Sequence, residues 1–117
     1  MTRPEVRQGF RQVASGGPHR GDGRLGTVRL PAGTTWVEVH CLANPGPPPA
    51  SRVQVTVGTG LSWSFTCTDG EGGDEGDGVH REATQTDVST AEEGAVLVEA
   101  PPTVQWNASV QVGAPGA

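Results

Sequence analysis

Residues 35–42, TWVEVHCL, and residues 61–68, LSWSFTCT, decide the fold of this 117-residue chain. In each stretch every second residue is apolar and the set closes on a cysteine: Val37, Val39 and Cys41 in the first, Leu61, Trp63, Phe65 and Cys67 in the second. Side chains of an extended strand alternate between faces, so residues two apart share one face. The pattern predicts two half-buried strands, with Glu38, His40, Ser62 and Ser64 turned the other way. Both sulfurs then look into one core, where they are either bonded to each other or packed as thiols.

The same alternation recurs on both sides of these stretches. Gly26 to Leu30 reads as a short strand closed by Pro31-Ala32-Gly33, and Arg52 to Val57 sets Val53, Val55 and Val57 against Arg52, Gln54 and Thr56. Gly58-Thr59-Gly60 turns that run into the second cysteine strand, which predicts a β-hairpin. Asn44 to Pro49 (NPGPPP) cannot hold a ladder and is expected as a stiff loop. Arg81 to Val88 lacks large apolar residues on its core side, which suits a sheet edge. Ala95 to Glu99 follows, and Thr103 to Val112 places Val104, Trp106, Ala108, Val110 and Val112 on one face. Seven strands with this punctuation predict an all-β domain, a two-sheet antiparallel sandwich of jelly-roll or immunoglobulin-like order.

The length suits one domain, and Gly 18 with Pro 10 fits a chain of many tight turns. All eight basic residues are arginine, and the formal charge is −5. It is unevenly placed: residues 1–24 carry five arginines against Glu5 and Asp22, or +3, and residues 25–117 carry three arginines against eleven acids, or −8. The expected division is therefore a basic N-terminal arm and linker over 1–24, then a β-sandwich over 25–117. Thr2 to Glu5 has capping-box spacing, and Val6, Phe10 and Val13 follow at helical intervals beside Arg3, Arg7 and Arg11, so a short amphipathic helix or an extended arm is expected there. Ser15 to Gly23 (SGGPHRGDG) reads as a connector. An acidic body excludes nucleic acid as the expected partner, because phosphate binding needs clustered cations. The first 24 residues hold no apolar run of the roughly 7 to 15 residues a signal peptide needs, and nothing approaches the roughly 18 of a membrane span, so no membrane partner is expected.

Few residues suggest chemistry. Asp69, Glu71, Asp74, Glu75 and Asp77 crowd one glycine-rich loop and are weak candidates for a cation, but the spacing matches no known calcium loop; a solvated hairpin tip is the plainer reading. Glu38 with His40, and His80 near Asp77, supply too few converging ligands for a metal site. Gly60-Leu61-Ser62-Trp63-Ser64 lacks the second glycine of a nucleophile elbow, and the cysteines are not spaced as a redox pair. No cofactor is expected, and no enzymatic activity. Trp63 and Trp106 have core parity; Trp36 has the opposite parity, beside Glu38 and His40, where it can line a contact surface. Asn107-Ala108-Ser109 spells a glycosylation sequon, read here as accidental.

Size, basic arm and missing signal together make the architecture similar to the small decoration proteins of tailed-phage capsids. That resemblance implies a non-enzymatic structural protein of the virion, docked on a capsid or homo-oligomer through residues 1–24, with Arg3, Val6, Arg7, Phe10, Arg11 and Val13 as contacts. A second resemblance lies in Gly21-Asp22-Gly23, Pro31-Ala32-Gly33 before Trp36, and Cys41 with Cys67, which look like the β-sandwich domains of secreted actinobacterial proteins. It implies an extracellular or cell-surface binding domain with one disulfide. A third expectation, from the acidic body alone, is an inhibitor or immunity protein that blocks a basic surface.

Overall fold

The computed structural model describes residues 3–43, 51–58, 61–67 and 79–113. The described residues form eight strands and no helix: β1 (Phe10–Arg20), β2 (Gly23–Leu30), β3 (Gly33–Ala43), β4 (Arg52–Val57), β5 (Leu61–Thr66), β6 (His80–Val88), β7 (Glu92–Glu99) and β8 (Val104–Gly113). One sheet runs β1-β8-β3-β6 and the other β2-β7-β4-β5, with every neighbouring pair antiparallel. The pairs β1 with β8, β2 with β7, β3 with β6 and β4 with β5 match the first half of the chain to the second half in reverse. The chain is thus one long hairpin wrapped over itself, and the lateral pairs β3–β8 and β4–β7 complete the sheets. This is the eight-stranded jelly-roll order, which decides between the two sandwich orders the alternation left open.

The core is what the alternation predicts. Val37, Val39 and Cys41 from β3, Val53, Val55 and Val57 from β4, Val96 and Val98 from β7 and the whole inward row of β8 are buried. Each such valine contributes on the order of 1.5 to 3 kcal/mol by leaving water. β4 and β5 form the expected hairpin, with Val53 opposite Phe65 and Val55 opposite Trp63. β6 pairs only with β3 and lies at an edge, as its weak apolar side suggests. Cys41 of β3 is bonded to Cys67, the residue just past β5, so the two cysteines that share a core also join the two sheets covalently.

The N-terminal quarter departs from expectation. Among the described residues of the expected arm and linker, 10–20 and 23–24 belong to strands of the sandwich, and Val6, Phe10 and Val13 are not on a helix. Phe10–Arg20 is an edge strand, paired from Phe10 with Gly113 to Arg20 with Gln105, and it makes the eighth strand that a count of seven omits. Its register shifts between Gln12 and Ala14 and again between Gly16 and His19, and each shift flips which face the following side chains take. An apolar period of two cannot survive that, so the strand does not look like one in sequence. Most of the expected connector 15–23 belongs to this strand; Gly21 and Asp22 alone carry the chain from one sheet to the other. The crossing is fastened: Trp106 Nε1 donates to Gly21 O (2.7 Å) and Ala100 N to an Asp22 carboxylate oxygen (2.9 Å). Gly17 has φ +111°, and a Cβ there would run into Asn107 and the Trp106 carbonyl, so only glycine fits this bulge.

Candidate functional site

Strand alternation puts Trp36, Glu38 and His40 on the outer face of β3, directly behind the core row Val37, Val39 and Cys41. Glu38 holds the three together. One of its carboxylate oxygens accepts from Trp36 Nε1 at 3.3 Å, and the other lies 2.5 Å from His40 Nε2. Antiparallel register fixes what flanks them: Arg81, Ala83 and Gln85 of β6 lie opposite His40, Glu38 and Trp36 on one side. On the other side lie Asn107, Ser109 and Gln111 of β8.

Residues 3–9 cross this face as a strap. The amide of Gln111 reads the strap backbone at two points, accepting from Arg7 N at 2.8 Å and donating to Glu5 O at 3.0 Å. Arg3 donates through Nε and Nη2 to Gly17 O, and Pro4 is buried. A turn closed by Phe10 N to Arg7 O, with Gly9 at φ 83°, then leads into β1. Covered in this way, Asn107, Ser109 and Gln111 are fully buried although strand parity turns them outward. Buried polar groups need partners, and Gln111 and Ser109 have them: besides its strap contacts, Gln111 donates to Ser109 Oγ, and Ser109 donates to Gln12 Oε1.

Between strap and sheet opens a cleft of about 560 Å³, lined by Arg3, Glu5 and Arg7 from the strap and by Trp36, His40 and Arg81 from the sheet. The Arg7 guanidinium carbon lies 3.9 Å from the Trp36 ring centroid and 5.3 Å from that of Phe10, within the range of cation–π attraction. Among the described residues, the ion pairs are His40 with Glu38 and His80 with Glu82, so no carboxylate there pairs with Arg7. The lining is polar and charged around one indole, which suits a hydrated ligand with hydroxyl or charged groups better than an apolar one.

The residues expected to contact a partner are mostly occupied within the chain. Arg3 and Arg7 hold the strap, Phe10 lies beside Arg7, and Val13 packs on the core. Val6, 49% exposed, and Arg11 face solvent. Asp69, Glu71, Asp74, Glu75 and Asp77 lie outside the described residues, as does the loop 44–50. No group of three metal-ligating side chains occurs among the described residues. His80 bonds to Glu82 at 2.9 Å and stacks on Phe65, on the inner side of β6. Ser62 and Ser64 lie in reach of Gln54 and Arg52 side-chain donors. Asn107 is fully buried, which closes the sequon to modification in the folded chain.

Sequence parity brings Trp36, Glu38 and His40 to one face correctly. It misses Arg7, Arg81 and Gln111. A signal for the covered row is present in β8, whose outward positions Gln105, Asn107, Ser109 and Gln111 carry no charge, unusual for a sheet face left in water.

Fold and cleft together define a disulfide-linked jelly-roll domain with a ligand-sized polar cleft on the outer face of one sheet. No family model, no curated protein and no solved structure matches the chain.

Proposed function

We propose that this chain is a non-enzymatic saccharide-binding domain that works outside the reducing cytoplasm, extracellularly or at a cell surface. The cleft carries this reading: an indole on a sheet face, ringed by a carboxylate, an imidazole and guanidinium groups. A pyranose ring offers C–H bonds to an aromatic face and hydroxyls to planar charged side chains, and these groups supply both kinds of contact. A disulfide between the sheets supports an oxidising compartment. Glu38 accepts from Trp36 Nε1 and meets His40 Nε2, contacts that orient the indole and support a binding role.

An arm-anchored capsid protein is the weaker reading. It would draw Arg3, Arg7, Phe10 and Val13 out of contacts they make with their own sheet.

A glycan array of neutral and acidic oligosaccharides, probed with the full chain and with Trp36→Ala, tests the proposal. The expected result is retention by a related set of glycans, lost at least about tenfold in Trp36→Ala. Retention by none, equal retention of the variant, or release of reducing ends from a bound glycan would each overturn it.

A further inference from the structure

Building on the saccharide reading, we infer that the ligand carries a carboxylate on its sugar ring and that Arg7 is the residue that selects it. Three observations converge on this.

The first is local charge. The whole chain is −5, yet the cleft gathers Arg3, Arg7 and Arg81 against Glu5 and Glu38, and Glu38 already faces His40 and Trp36. A positive hollow in an acidic protein draws anions to that point and away from the rest of the surface.

The second is the state of each arginine. Arg3 spends Nε and Nη2 on Gly17 O, and Arg81 directs Nη1 to Val79 O at 3.3 Å. Arg7 is different. Among the described residues its guanidinium meets only the Trp36 and Phe10 rings, so its N–H donors are open to an acceptor. A guanidinium matches a carboxylate through two parallel N–H···O bonds, a fit that a hydroxyl cannot reproduce.

The third is preorganisation. The Arg7 backbone is pinned by Gln111 at 2.8 Å, so the chain that carries the charge is placed before any ligand arrives and only the side chain has to adjust. Because the guanidinium lies over the indole, it occupies the ring face on which a sugar would stack. Binding therefore moves Arg7 from the ring to the carboxylate, exchanging a cation–π contact for a charge-assisted bidentate one and clearing the indole.

The test uses the full chain with polygalacturonate, alginate and hyaluronate, each beside its carboxyl-reduced form, which keeps the sugar backbone and removes the charge. Affinities come from calorimetry, with tryptophan fluorescence followed in parallel. At least one acid polymer is expected to bind about tenfold or more tightly than its reduced form, with weakening in high salt. Arg7→Gln should bring that ratio near one, and Arg7→Lys should restore it only in part, because the point charge returns without the fork. Equal binding of acid and reduced forms by the unaltered chain overturns the carboxylate inference and leaves the saccharide reading standing. A full preference retained by Arg7→Gln assigns selection elsewhere and overturns the role of Arg7. Binding of none of the six probes by a chain shown to be folded overturns both the inference and the reading beneath it.

Discussion

Gln111 holds Arg7 to the outer face of β8 by accepting its backbone N–H at 2.8 Å, while the other end of the same amide donates to Glu5 O at 3.0 Å. One side chain thus supplies a donor and an acceptor to an extended segment, as a neighbouring strand would. The consequence is a buried polar row where a sheet normally meets water, and a strap that forms one wall of the cleft.

Gln111→Ala is expected to lower unfolding stability by about 2 to 4 kcal/mol, since it removes bonds to two strap groups and to Ser109 beneath a covered surface. Urea titration reads this directly. An unchanged midpoint would mean the strap rests on the sheet without stabilising it.

Two truncations separate strap from strand. Removing residues 1–8 leaves every strand and is expected to give a folded, less stable monomer with Gln111 and Ser109 wetted. Removing 1–24 deletes β1, strips one edge of β8 and takes away the Gly21 carbonyl that Trp106 uses, so cooperative unfolding should be lost. Circular dichroism and light scattering after size exclusion check both. A native mass above the monomer that falls on removing 1–8 would show the strap acting between molecules.

Cys41 and Cys67 should yield no free thiol when the chain is unfolded without reductant; two titratable thiols would contradict the bond. The link spans 26 residues and joins opposite sheets. Reduction is expected to cost about 3.5 kcal/mol in the chain-entropy treatment.

Glycine substitutions at two positions with positive φ should separate strain from crowding. At Gly26, φ 99°, an added Cβ meets open space, and Gly26→Ala should cost about 1 kcal/mol from backbone strain. At Gly17, φ 111°, the Cβ also meets Asn107 and a backbone carbonyl, so Gly17→Ala should cost about 2 to 4 kcal/mol. Thermal melts that rank the two in the reverse order would contradict the bulge geometry.

The legible parts of the fold are those where register is unbroken. β3, β4, β5 and β8 alternate cleanly; the inward rows of β3, β4 and β8 are buried and that of β5 is half-buried against the core. β1 alternates only between its register shifts, and its stretch SGGPHR resembles a linker because the bulge needs glycine where a strand would favour a branched side chain. Of the cleft, the β3 residues Trp36, Glu38 and His40 were within reach of parity. Arg7 and Arg81 were not.

By itself the sequence determined that this is an all-β chain, which residues of each regular strand face inward, that both cysteines look into one core, and that one tryptophan looks out beside a glutamate and a histidine. These are local properties, carried by a two-residue period. Only the tertiary structure decided the jelly-roll order, the bond between the cysteines, the inclusion of residues 10–20 in the sandwich, and the burial of Gln111 beneath a segment 104 residues away in the chain. Those depend on which distant segments pair, and pairing follows from the shared burial of whole faces rather than from the letters of any one strand.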